Sequence, residues 1–259
     1  NKKSVVGRLK TKSRIPWFEE SGDLYQIQFS ILKNQVTLMI DTSGIGLHKR
    51  GYRPAANAAP IKETLAAALC YFAHLRGYHT LYDPMCGSGT IPVEGALLVR
   101  NIAPGLTRHF TAESWKTLPK DLWKSEGDRA RDLEIACPEF QCFASDIDAR
   151  SLDLAAGNAR RAGVADLITF FHADIRSFTP KTDRGTVIVN PPYGERLMDI
   201  QSAEELYRVA GEKFQPKRGW SYSIISPDEK FESLFGRKAD KRRKLYNGMI
   251  QCQYYMYFK

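Results

Sequence analysis

At 259 residues, with 43% hydrophobic and 26% charged side chains, the chain has the composition of an ordinary water-facing globular protein and room for one α/β domain plus an appendage. No apolar run approaches the roughly 20 residues that a membrane helix needs, and five cysteines without paired or zinc-like spacing exclude a disulfide scaffold and a metal knuckle, pointing to a reducing cytoplasm. Thirty-eight Lys and Arg against 29 Asp and Glu leave +9, which favours a polyanionic partner, nucleic acid first.

The chain opens on Asn1 without a signal-peptide core, so it is expected to begin partway through a longer protein. Lys2 to Leu9 reads as the end of a helix, and Leu24–Ile31 with Val36–Asp41 as a hairpin turning at Lys33-Asn34-Gln35. So small a piece cannot bury its own core, and residues 1–53 are expected to be the end of a preceding region and its linker. A helix is predicted from Ala59-Pro60, with Ile61, Leu65, Ala68, Leu69 and Phe72 at helical spacing and Gly77 just past its end.

Strands and helices then alternate across 54–259. Strand Thr80–Asp83 leads to a helix from Thr90 to about Asn101, and strand Gln141–Ser145 to a helix from Ala149 to Ala162. Strands follow at Leu167–His172 and Arg184–Val189, then a helix around Ala203–Phe214 and strand Ser221–Ser226. Such alternation predicts a parallel sheet covered on both faces. The end reads as an antiparallel hairpin, Lys244–Tyr246 with Ile250–Phe258, turned at Asn247-Gly248. Residues 103–138, carrying Phe110, Trp115 and Trp123 among basic residues, interrupt the rhythm as an insertion: a lid, an RNA-facing surface or a structural cover.

Chemistry concentrates at three strand ends. After the first, Asp83-Pro84-Met85-Cys86-Gly87-Ser88-Gly89-Thr90 departs from the dinucleotide glycine fingerprint and taken alone could be a structural turn. Asp83 can accept from an ammonium group, while Gly87, Ser88 and Gly89 offer N–H groups near a helix start. An amino-acid headgroup supplies both charges, whereas a pyrophosphate would be repelled by Asp83; S-adenosylmethionine is therefore favoured over NAD or ATP. After the second, Asp146-Ile147-Asp148 offers carboxylates for ribose hydroxyls, with Asp146 favoured and Asp148 as neighbour or helix cap. Asp174, ahead of Ile175, is placed either to accept from the adenine amine or to cap. His172 is a weaker contact candidate at a strand end.

Asn190-Pro191-Pro192-Tyr193 closes the apolar run Thr186–Val189 and is the most specific signal. The Asn oxygen and a carbonyl beside proline accept two amine hydrogens, and the Tyr ring can stack on a planar base. Methyl transfer to such an amine is an in-line displacement in which alignment does most of the work. A base in paired nucleic acid would first have to leave the stack. Lys241, Arg242 and Arg243, within a basic run from Arg237 to Lys244, are candidate phosphate contacts, with a solvated charged edge as the bland alternative.

With these motifs in view, the chain resembles the THUMP-containing class I RNA methyltransferases, most closely the bacterial group that methylates guanine N2 in 23S ribosomal RNA. The residues that carry the resemblance are Asp41-Thr42-Ser43-Gly44, Leu47 through Arg53 and Ala59 through Ala66. With them go Asp83 through Thr90, Ser145 through Asp148, Asn190 through Leu197, and Leu245 through Gly248. The resemblance implies a class I, Rossmann-like S-adenosylmethionine-dependent sheet with a terminal antiparallel hairpin, preceded by the C-terminal part of a THUMP-bearing region that binds structured RNA. It implies Met85, Cys86, Ile147, Ile175 and Asn190 as further cofactor contacts, and Asn190 to Tyr193 as the catalytic tetrapeptide. Relatives methylate guanine N2 in tRNA, adenine N6 in DNA or glutamine N5 in protein with nearly the same tetrapeptide, so the motif fixes the acceptor atom better than the substrate. A tRNA methyltransferase, or an RNA-binding assembly factor without turnover, are the alternatives.

Overall fold

A computed structural model describes residues 2–19, 21–53, 61–136, 139–193 and 200–258. The chain forms two compact units: residues 1–45 with 109–124, and 46–108 with 125–259.

In the first unit, helix α1 (Lys2–Ser13) precedes an antiparallel hairpin of β1 (Gln26–Leu32) and β2 (Gln35–Asp41). Its two-residue turn is Lys33-Asn34, both at positive φ, 50° and 63°, as a tight mirror-type hairpin turn requires; Gln35, expected in the turn, already belongs to β2. The expected insertion is partly a component of this unit. Trp115 stacks on Tyr25 with ring centres 4.6 Å apart and donates from its indole nitrogen to the Leu24 carbonyl at 2.9 Å, while the Ala112 N–H reaches the Thr42 carbonyl at 3.1 Å. Residues 109–124 thus belong with the hairpin rather than with the parallel sheet. Helix α4 (Leu122–Asp132), which lies in the insertion, has no counterpart in the sequence reading, because its polar composition hides any apolar stripe.

The second unit holds helices α2 (Glu63–Phe72), α3 (Thr90–Val99), α5 (Ala149–Arg161), α6 (Ile200–Lys213) and α7 (Phe231–Phe235) around a seven-stranded sheet. Its strands are β3 (Thr80–Asp83), β4 (Gln141–Asp146), β5 (Ile168–His172), β6 (Gly185–Val189), β7 (Trp220–Ser226), β8 (Lys241–Asn247) and β9 (Ile250–Phe258). The order is β5-β4-β3-β6-β7-β9-β8; the first five are parallel, and β9 runs antiparallel to both β7 and β8. This is the expected α/β architecture with its terminal hairpin.

Strand alternation sorts the core onto two faces. Leu81, Ile188, Ile225, Tyr254 and Met256 point to one cluster, shared with Leu69 of α2, Val93 and Leu97 of α3 and Leu152 of α5. Their neighbours Tyr82, Val187, Val189, Ile224, Tyr255 and Tyr257 point to the other, packed with Tyr207 and Phe214 of α6 and Phe231 and Phe235 of α7. With both faces covered, the strands read as continuous apolar runs rather than alternating ones.

Helix α2 begins at Glu63; Ala59 and Pro60 lie outside the described residues. It ends at Phe72, so Gly77 is not its stop. His74 takes the left-handed position at φ 55° instead, with its N–H on the Tyr71 carbonyl and that of Leu75 on Cys70. Asn101 after α3 and Gly163 after α5 close those helices with the same pair of bonds. The β8–β9 turn is Gly248-Met249, one residue later than expected, because Asn247 is paired to Ile250 and Gly248 supplies the positive φ of 64° at the first turn position.

The chain starts the sheet at β3, moves outward to β4 and β5, then returns across β3 to β6. The sheet therefore reverses direction between β3 and β6, and their carboxyl ends are the place where an open parallel sheet leaves a crevice.

Candidate active site

A cavity of about 320 Å³ occupies that crevice. Asp83 enters it from β3, the turn Pro84–Ser88 and Thr90 from the β3–α3 connection, and Asp146 and Ile147 from the end of β4. Asp174 and Ile175 come from the turn after β5, and Asn190 and Pro192 from the turn after β6. The expected residues of all four strand ends thus converge, though not every one lines the cavity.

Asp83 is 1% exposed, and its carboxylate accepts one hydrogen bond, from the Met85 N–H at 3.3 Å. Burial pushes its carboxyl well above the usual carboxylate range; the Met85 N–H opposes this and the charge of Asp146 adds to it. Among the described residues no basic side chain pairs with it. Asp146 accepts with both oxygens, from Gly87 N–H at 2.8 Å and Asp148 N–H at 2.9 Å, so it ties the glycine turn to β4 while keeping lone pairs for a ligand. The Cys86 N–H adds a bond to the Ser145 carbonyl at 3.0 Å, and burial pushes the Cys86 thiol up, which leaves it a packing group rather than a nucleophile.

Asp148 is the N-cap of α5. The Ser151 hydroxyl at 2.7 Å and the Arg150 N–H at 3.1 Å hold its carboxyl below the ordinary value, and it does not line the cavity. Asp174 caps the short turn Ile175–Ser177 through the Arg176 N–H at 2.7 Å and meets the Arg176 guanidinium at 3.2 Å, while still facing the cavity; cap and contact are compatible roles. His172 lies outside the cavity lining and its Nε2 is 2.8 Å from the Ile147 carbonyl, bracing that loop.

Gly89 also stays off the cavity. It is the N-cap of α3 at φ 76°, and a Cβ there would sit 2.8 Å from the Ala155 Cβ of α5. Its contribution is close packing beneath the turn rather than ligand contact.

Asn190 Oδ1 is buried and has no hydrogen-bond partner among the described residues. A buried acceptor left open costs about 1–3 kcal/mol, so this oxygen is set for a donor arriving through the cavity. Pro192 lines the cavity; Pro191 is buried beside it. Tyr193 differs from expectation. It is 8% exposed, packs in the core cluster rather than on the cavity, and its hydroxyl accepts from the Asn247 amide at 2.6 Å, which ties the turn to the β8–β9 hairpin. Gly194 through Leu197 lie outside the described residues.

Lys241, Arg242 and Arg243 sit in β8, the edge strand. The sequence reading missed Ser151, Arg176 and Leu206 in the cavity wall, and Asn158, whose amide donates to the Ser88 carbonyl at 2.9 Å from 70 residues away. Only the Asp148-to-Ser151 spacing of a capped helix hinted at any of them. Among the described residues no His, Cys, Asp and Glu cluster could hold a metal, and no helix is long and apolar enough to cross a membrane.

A family model described as "RMKL-like, methyltransferase domain" matches residues 50–256. The chain is 43% identical, over 99% of its own length and 67% of the relative's, to "Putative RNA methyltransferase YpsC" of Bacillus subtilis. It is 39% identical to "Ribosomal RNA large subunit methyltransferase K/L" of Shewanella baltica, where the match covers 86% of this chain but 32% of the relative. The solved structure of SMU.472, "a putative methyltransferase complexed with SAH", superposes with a TM-score of 0.90 at 38% identity, over 99% of this chain and 68% of that one. The chain thus spans about two thirds of one curated relative and a third of the other. A parallel sheet with its reversal at a carboxylate-lined crevice, an open Asn acceptor beside it and these matches together place the chain in the RMKL-like methyltransferase domain family.

Proposed function

We propose that this chain is the catalytic part of an S-adenosylmethionine-dependent RNA methyltransferase that modifies the exocyclic N2 amine of a guanine in 23S ribosomal RNA, in the cytoplasm. One observation carries the reading: a buried carboxylate without a cation, Asp83, and a buried amide oxygen without a donor, Asn190 Oδ1, face the same cavity from the ends of adjacent strands. An ammonium group answers the first and an amine hydrogen the second, so the residues present fit the cofactor and an amine acceptor.

When bound, S-adenosylmethionine supplies an electrophilic methyl group on a sulfonium. Asp83 accepts from the ammonium of its amino-acid end, and the N–H groups of the Gly87–Thr90 turn receive its carboxylate. Asp146 accepts the ribose hydroxyls with the lone pairs that Gly87 and Asp148 leave, Asp174 accepts from the adenine amine, and Met85, Cys86, Ile147 and Ile175 supply apolar wall. Asn190 Oδ1 and the Pro191 carbonyl take the two hydrogens of the target amine, which aims its lone pair into the cavity. Pro192 forms the wall beside them, and Tyr193 fixes the turn through Asn247. Alignment is the main contribution, and the proton leaves to water after transfer.

Residues 1–53 are read as the C-terminal part of a THUMP-bearing region that docks structured RNA and 54–259 as the methyltransferase domain. Lys241, Arg242 and Arg243 contribute to the basic surface. The test is transfer of labelled methyl to separate pools of unmodified 23S rRNA and tRNA, with nucleoside mass spectrometry of each. N2-methylguanosine in the rRNA is expected. The same nucleoside in tRNA alone would reassign the substrate, and N6-methyladenosine would overturn the guanine reading.

A further inference from the structure

Strand alternation splits the basic run of β8 between two faces. Arg242 lies on one, ion-paired to Glu232 at 3.3 Å, and Asp240 on that side accepts from the Phe258 N–H at 2.7 Å. Lys241 and Arg243 lie on the other, where they line a groove of about 330 Å³ with Phe72 and His74 at the end of α2. Arg243 rests over the Phe72 ring at 4.6 Å, which fixes a normally mobile guanidinium in place. Neither cation pairs with a carboxylate among the described residues. The same face of β8 continues to Asn247, the residue bonded to Tyr193 of the catalytic turn. Six residues of strand separate Lys241 from Asn247, about 20 Å at the rise of a β-strand.

We infer that this groove, built by Lys241, Arg243, His74 and Phe72, binds the single-stranded RNA next to the target nucleotide, and that Arg242 takes no part. The inference rests on the RNA methyltransferase reading and gives its flanking strand a track along the sheet edge. Two uncompensated cations, two residues and about 6.6 Å apart along the strand, meet successive backbone phosphates. The His74 imidazole, exposed at the lip of the groove, offers a flat surface to an unstacked base, the combination that single-strand binding uses. A chain with +9 overall adds long-range attraction for the polyanion.

The probe is a short fluorescent single-stranded RNA of mixed sequence, with binding measured by anisotropy across a sodium chloride series. Removing one phosphate-binding cation lowers the slope of log affinity against log salt by about 0.7 on a single strand. Lys241→Ala with Arg243→Ala should lower the slope by about 1.4, His74→Ala should weaken binding at unchanged slope, and Arg242→Ala should shift the slope by less than about 0.35, half the effect of one cation. Unchanged S-adenosylhomocysteine affinity in all three variants shows that the fold is intact. A double variant with the wild-type slope, or an Arg242→Ala effect as large as that of Lys241 or Arg243, overturns the groove while leaving the RNA methyltransferase reading standing. Wild-type protein that binds S-adenosylhomocysteine but no RNA even at low salt overturns both.

Discussion

Asp83→Asn separates what the carboxylate does for the fold from what it does for a ligand, because the amide has nearly the same shape and no charge. In the free protein the carboxylate is 1% exposed, carries one N–H and faces Asp146, so its folded pKa lies above the unfolded value. The stability it contributes is then fully present below the ordinary carboxylate pKa and is lost as pH rises through the raised folded value. The amide has no such decline. The stability of the variant relative to wild type should therefore climb with pH between those two points, as read by urea unfolding at several pH values. Ligand binding should move the opposite way. A charged hydrogen bond to an ammonium contributes about 1.5–3 kcal/mol, so S-adenosylhomocysteine should bind the variant about tenfold to about 150-fold more weakly by titration calorimetry. In wild type below the raised pKa, the ammonium forces Asp83 to ionise, and the measured enthalpy should depend on the buffer's own protonation heat. A variant that binds as tightly as wild type would refute the ammonium contact, and one whose relative stability falls with pH would refute the assigned burial effect.

Asn190→Ala should lower turnover by about 10²-fold or more, the scale of one positioned hydrogen bond at a reacting centre, while S-adenosylhomocysteine affinity holds; joint loss of both would make Asn190 a structural residue. Asp146→Ala frees the Gly87 and Asp148 N–H groups and should weaken cofactor affinity together with stability, the latter by about 1–3 kcal/mol. Unchanged affinity by calorimetry would move the ribose role elsewhere. Gly89→Ala imposes a left-handed backbone on a side chain, about 1–2 kcal/mol, and drives its Cβ to 2.8 Å from that of Ala155, about 1–3 kcal/mol more. Urea unfolding should show a loss of about 2–5 kcal/mol from these two terms, and a loss under about 1 kcal/mol would mean that α3 and α5 separate at little cost.

The strand–turn–helix units were readable because each strand of the second unit is a short apolar run ended by a functional polar residue: Asp83, Asp146, Asn190. Period and punctuation both survive in such segments. Gly77 misled because glycine is the usual helix stop, and the position went to His74, a residue type that tolerates the left-handed conformation less often. Tyr193 misled for a different reason: an aromatic beside prolines suits base stacking, and nothing local in the sequence shows that Asn247, 54 residues on, holds its hydroxyl. The insertion was visible as an interruption, but its attachment depends on the pairing of Trp115 with Tyr25, 90 positions apart, which no periodicity encodes.

The segment Arg50–Arg53 shows what the glycine turn needs from the rest of the fold. Helix α3 starts at Gly89 without a side-chain cap, so its first N–H groups stay open toward the cavity and the turn gains no rigidity from within. Support comes from below. Arg53 donates to the Thr90 hydroxyl at 2.9 Å and pairs with Glu63 at 3.1 Å, and the Tyr52 hydroxyl donates to Glu94 at 2.9 Å. Arg161 reaches the Tyr52 carbonyl at 2.7 Å and the Asn158 oxygen at 2.6 Å, and Asn158 closes the circuit on the Ser88 carbonyl. Burial raises the Glu94 carboxyl while Arg50 pulls it back, as expected for a charge held in the interior by its partners. Removing any one partner of such a pair strands a buried charge at about 3–5 kcal/mol, so an apolar core would have been the safer way to gain stability alone. What the polar circuit adds is position: it fixes Ser88 and Thr90 on either side of Gly89 while leaving the turn's N–H groups free for a carboxylate.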